Sequence, residues 1–170
     1  MVNAPLPVKV LFVCMGNICR SPSAEGVFRH VVQQAGLEAE ILIDSAGTHD
    51  YHVGGPPDSR SQRHALQRGY DLSALRAWQI LEKDFDRFDY IYVMDCENLN
   101  NVLRICPERD KHKVGLFLAL APHLGVEEVP DPYYGGVEGF EHVLDLIEAA
   151  SEALLAKLCQ DHGLKPLARS

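Results

Sequence analysis

The sequence predicts a single-domain α/β protein in three layers (α/β/α), with a central four-stranded parallel sheet covered by helices on both faces. Short apolar runs alternate with stretches of helical periodicity along the chain, the pattern of strand and crossover helix repeated. The first run, Val8, Val10, Leu11, Phe12 and Val13, is close to continuously apolar, as a strand covered on both faces must be. No Pro/Ser/Gly-rich linker, internal repeat or low-complexity segment divides the 170 residues, and 46% hydrophobic content suffices for one sizeable core.

Taken in order, the strands are expected near 8–14, 40–45, 89–95 and 113–118. Helices are expected near 22–35, 57–69, 95–105 and 137–160, with a shorter one near 82–86. Val27, Phe28, Val31 and Val32 recur at helical spacing after Pro22-Ser23-Ala24-Glu25, and Leu144, Ile147, Leu154, Leu155 and Leu158 give the last helix its core face. The first strand is expected at the centre of the sheet. Ligands of such folds bind beyond the strand C-termini at the switch point, which is where Cys14 falls. The domain is expected to span 8–163, with flexible ends at 1–7 and 164–170.

Between the first strand and first helix lies Cys14-Met15-Gly16-Asn17-Ile18-Cys19-Arg20-Ser21. A loop at this junction presents several backbone N–H groups to one anion, and a helix N-terminus with a nearby guanidinium lowers a thiol pKa. Cys14 then reads as a nucleophile and Arg20 as a planar fork for two oxygens of a tetrahedral oxyanion. Gly16 tolerates positive φ and Asn17 enters the left-handed region readily, so the loop is expected to close into a cup. Ser21 adds a hydroxyl within reach of the sulfur. The competing reading makes Cys14 a buried strand cysteine and Arg20 a solvated side chain.

Phosphoryl transfer also needs an acid for the leaving group. In Val129-Pro130-Asp131-Pro132-Tyr133-Tyr134-Gly135-Gly136 a carboxylate stands between two prolines that stiffen the chain. Rigidity suits a general acid, Asp131, that must meet one oxygen. A proline-rich surface turn is the alternative.

Together these segments, with Ile43-Asp44-Ser45-Ala46-Gly47-Thr48 and Phe88-Asp89-Tyr90-Ile91-Tyr92-Val93-Met94-Asp95, closely resemble the low-molecular-weight protein tyrosine phosphatases over nearly the whole chain. The resemblance implies a flavodoxin-like sheet of strand order 2-1-3-4 and hydrolysis of phosphotyrosine or aryl phosphates without a cofactor or metal. It implies that Cys14 forms a phosphocysteine, that Arg20 clamps the phosphate, and that Asp131 protonates the phenolate and then serves as base toward water. Asn17 and Ser45 would brace the loop, with Ser21 tuning the sulfur. Met15 and Ile18 would flank the pocket, and Tyr51 and Tyr133 would wall the substrate ring, favouring aryl over alkyl phosphates. Tyr134 is open to three roles: lining the site, accepting a kinase's phosphate, or covering the loop.

Two positions depart from the family pattern. Leu75 and Trp78 stand where many members carry His and Arg, so a concerted apolar repacking is expected. Thioredoxin-coupled arsenate reductases share the fold and nucleophile loop, and Cys96 lies near where their relay begins, but Leu103 occupies the place of the second relay cysteine. A non-catalytic phosphotyrosine-binding module is the other rival, opposed by retention of Cys14, Arg20 and Asp131.

The formal charge of −8 argues against nucleic acid as partner, and no apolar run is long enough for a membrane helix. Phosphotyrosine proteins, a tyrosine kinase among them, or small aryl phosphates are the expected substrates of a monomer or weak dimer. Five cysteines without a CxxC pair fit neither a disulfide framework nor a structural zinc site, and the N-terminal segment lacks a secretory pattern. The expected location is a reducing cytoplasm. Cys19 on the same loop either traps an oxidised Cys14 as a disulfide or packs at the helix start. His49 and His52 are read as exposed loop histidines, and no histidine pair has helical metal-ligand spacing.

Overall fold

The computed structural model describes residues 6–133 and 136–168. Four parallel strands, β1 (Val8–Cys14), β2 (Ile41–Gly47), β3 (Tyr90–Val93) and β4 (Val114–Leu116), pair in the order β2-β1-β3-β4. The helices are α1 (Arg20–Gln34), α2 (Ser59–Gln67), α3 (Cys96–Ile105) and α4 (Val137–His162). This is the expected three-layer architecture, with β1 at the centre.

Strand alternation divides β1 between two cores. Val8, Val10, Phe12 and Cys14 face the larger one, with Val27 and Phe28 of α1 and all five residues expected from α4, four leucines and Ile147. Leu11 and Val13 face the smaller one, with Ile91, Val93, Phe85 and Val102 of α3. Leu75 packs against the first core and Trp78 against the second, so the two departures from the family pattern sit on opposite faces of the sheet.

Element ends follow local chemistry. Helix α1 begins two residues earlier than expected, at Arg20; Pro22 still falls in its first turn, where a missing N–H costs no helical bond. Asp58 caps α2 by accepting from the N–H groups of Arg60 (2.8 Å) and Ser61 (3.3 Å). Asp95 caps α3 through the Asn98 N–H at 2.8 Å. The short helix expected near 82–86 is a 3₁₀ helix, Glu82–Arg87.

Of the expected flexible ends, residues 1–5 and 169–170 lie outside the described residues. Within the rest, Leu164 packs on the core and the Leu167 N–H donates to the Ala35 carbonyl at 2.8 Å. Among the described residues, no helix is long and apolar enough to cross a membrane.

Candidate active site

β1 delivers Cys14 to the C-terminal edge of the sheet, and α1 starts six residues later with Arg20. The chain between them curls around a cavity of about 190 Å³, lined by Cys14, Met15, Gly16, Ile18, Cys19 and Arg20. Tyr51, His52, Asp131 and Tyr133 complete the wall. Residues from three separate stretches of sequence thus meet around one sulfur.

Asn17, not Gly16, takes the left-handed conformation, with φ 58°. Gly16 is needed for space instead, because a Cβ there would stand 3.1 Å from the His52 ring. Gly47 matters for the same reason: a Cβ would stand 2.8 Å from the Met15 carbonyl oxygen. The Asn17 N–H points at the Cys14 sulfur from 3.3 Å.

The side chain of Asn17 is the hub of a buried network. Its amide NH₂ donates to Ser21 (2.8 Å) and Ser45 (3.0 Å), and its oxygen accepts from the Trp78 backbone N–H at 3.2 Å. The Ser45 hydroxyl donates a hydrogen bond to Glu25 at 2.7 Å, and Glu25 is paired with Arg29 at 2.6 Å. With one lone pair of Ser21 occupied by Asn17, its hydroxyl hydrogen is available to the Cys14 sulfur, 3.0 Å away, or the Ala46 carbonyl at 3.3 Å. Burial raises the Glu25 pKa, against the pull of Ser45 and Arg29.

Arg20 is almost wholly buried. One terminal nitrogen bonds Asp95 at 2.5 Å and the Val129 carbonyl at 3.0 Å; the other faces the Asp131 carboxylate from 3.8 Å. Burial disfavours its charge, but the Cys14 sulfur and the Asp95 and Asp131 carboxylates outweigh that and push its pKa up. Asp95 does two jobs, since its second oxygen caps α3. The acid loop is tied to the sheet by the Val129 N–H, which donates to the Met94 carbonyl at 2.8 Å. Asp131 Oδ1 accepts the Tyr133 N–H at 3.0 Å, which leaves Oδ2 on the Arg20 side.

A family model described as low molecular weight phosphotyrosine protein phosphatase matches residues 9–164. The chain belongs to that family. It is 48% identical to the low molecular weight phosphotyrosine protein phosphatase of Schizosaccharomyces pombe, over 78% of this chain and 85% of that one. Bacillus subtilis YfkJ, a low molecular weight protein-tyrosine-phosphatase, is 39% identical over 92% of this chain and 99% of its own. A crystal structure of a protein tyrosine phosphatase from Entamoeba histolytica, with Hepes in its active site, superposes with a TM-score of 0.88 at 43% identity, covering 92% of this chain and 99% of that one.

In this family member the site residues expected from sequence converge, except Tyr134, which lies outside the described residues. Tyr51 and Tyr133 stand on the rim, both exposed. Cys19 lines the cavity and is buried, which pushes its thiol pKa up to about 12 despite the hydrogen bond with Ser61. His52 is an exposed loop residue, as read from the sequence, and it also lines the cavity, while His49 is half-buried and stacks on Tyr51 at 4.9 Å. Sequence reasoning also missed Asp95 and Glu25. Each lies inside a quoted motif: Asp95 just after the third strand, and Glu25 within the first helix among apolar neighbours. Cys96 and Cys106, at opposite ends of α3, are not among the cavity's lining residues.

Proposed function

We propose that this protein is a protein tyrosine phosphatase that hydrolyses phosphotyrosine and aryl phosphates through a phosphocysteine. The observation that carries this reading is the meeting of Cys14, Arg20 and Asp131 on one cavity, with the Asp131 carboxylate turned toward the guanidinium.

In the first step the Cys14 thiolate attacks phosphorus, forming S–P while the P–O bond to the phenol breaks. The Arg20 fork and the N-terminal end of α1 hold the equatorial oxygens. Because Oδ1 of Asp131 already accepts a hydrogen bond, the acidic proton resides on Oδ2 and passes to the leaving oxygen. In the second step the resulting carboxylate takes a proton from water, whose oxygen attacks phosphorus as S–P breaks. The Ser21 hydroxyl stabilises the departing thiolate. A nucleophile at the floor of a cavity walled by Tyr51 and Tyr133 favours a flat aryl ester, whose ring stacks while its phosphate reaches the sulfur.

Phosphotyrosine proteins are the substrates this site suits, a tyrosine kinase being one of them, and the protein works as a monomer or weak dimer in a reducing cytoplasm, where Cys14 stays unoxidised. The test is hydrolysis of para-nitrophenyl phosphate. Cys14→Ser is expected to abolish turnover, and Asp131→Ala to cut it by about 10²-fold or more for poor leaving groups. Retention of turnover by Cys14→Ser would overturn the proposal.

A further inference from the structure

Arg60, the second residue of α2, lies outside the cavity yet touches Tyr133 on its wall, together with Asp58 and Phe140. Its guanidinium grips Asp58 with two bonds, Nε at 3.2 Å and Nη2 at 3.1 Å. The same Nη2 donates to the Tyr133 carbonyl at 3.0 Å. The guanidinium carbon stands 5.2 Å from the Tyr133 ring centroid and 4.9 Å from that of Phe140 on α4, distances that suit cation–π contact.

Both ends of this clamp lead to reacting groups. Asp58 donates its backbone N–H to the Ile18 carbonyl at 2.8 Å, so it is fastened to the phosphate loop. Tyr133 donates its N–H to Asp131 Oδ1, so the peptide whose carbonyl Arg60 holds belongs to the residue that orients the acid. The bond from Val129 to Met94 fixes only the near side of the acid loop. On the far side, the Arg60 fork spans the gap to α2.

We propose that Arg60 is a positioning residue for the general acid, bridging the phosphate loop and the Asp131 loop so that Oδ2 stays aimed at the leaving oxygen. The proposal rests on the assignment of Asp131 as the acid. Lysine cannot fully replace this arginine, because one nitrogen cannot hold the two carboxylate oxygens and the carbonyl in a planar array.

The test is kcat/KM, which reports transfer to sulfur, measured against leaving-group pKa for wild type, Arg60→Ala, Asp131→Ala and the double variant. Arg60→Ala is expected to lose about tenfold to a hundredfold with phenyl phosphate, the scale of a misplaced catalytic group, and only about threefold or less with a strongly acidic phenol. Competitive inhibition by inorganic phosphate should change less than about twofold. In the Asp131→Ala background, Arg60→Ala should cost nothing further. A uniform loss across leaving groups, or a loss that multiplies with that of Asp131→Ala, would overturn the positioning role while leaving the acid assignment standing. If Asp131→Ala itself showed no leaving-group dependence, both would fall. Should the alanine variant melt below assay temperature, Arg60→Lys replaces it, with the same selective loss at about threefold to tenfold.

Discussion

Asn17 adopts a backbone conformation that few residues other than glycine accept, and its side chain repays that choice locally by linking Ser21, Ser45 and the Trp78 amide. Every polar member of this chain from Glu25 to Cys14 is buried, so removal of one link leaves others without partners. Ser45→Ala leaves one N–H of the Asn17 amide and Oε1 of Glu25 without these partners. It is expected to cost about 1–3 kcal/mol of stability and to slow turnover, read by denaturant unfolding and para-nitrophenyl phosphate hydrolysis. No change in either would contradict the bracing role. Cys14, Arg20, Asn17, Ser45 and Asp131 were legible because each sits in a short motif whose residue types limit the chemistry. Asp95, His52 and Arg60 were not, because their roles come from contacts across 75, 36 and 73 positions. Spacing along the chain says little about such meetings.

At the scale of elements, apolar periodicity was a reliable guide: the four strands and four main helices lie where alternation and helical spacing placed them. What it could not locate was the ends, which are set by capping side chains and by the loop closing on itself. Asp58 shows the effect. Burial would raise its pKa, but the Arg60 guanidinium and the Arg60 and Ser61 N–H groups outweigh it, holding the carboxyl below its ordinary value. A depressed folded-state pKa contributes stability that is present above the unfolded value, about 3.9, and lost as pH falls through the folded one. Asp58→Ala is expected to cost about 0.5–2 kcal/mol at neutral pH, with the difference from wild type shrinking below about pH 4. Urea unfolding at neutral and acid pH checks this, and a difference that grows on acidification would contradict it.

The whole molecule carries a formal charge of −8, while its substrate phosphate is also negative. Attraction is therefore local, from Arg20 and the start of α1, and the outer field repels acidic peptides at long range. Raising ionic strength from about 0.01 M to about 0.15 M shortens the screening length from about 30 Å to about 8 Å. The expected result is a kcat/KM for acidic phosphotyrosine peptides that rises with salt, and rises more steeply than that for the small monoester para-nitrophenyl phosphate. A fall with salt would show that a cationic surface steers the encounter. Net charge was readable from composition and the anion cradle from the loop motif, but the burial of Arg20 between Asp95 and Asp131 followed only from the fold.

The covalent intermediate can be sought directly by quenching Asp131→Ala during turnover of an aryl phosphate and mapping the phosphate by mass spectrometry. The phosphoryl group is expected on the Cys14 sulfur, and absent in Cys14→Ser. A phosphoryl group mapped to another residue, or burst-free turnover with the sulfur never modified, would contradict it.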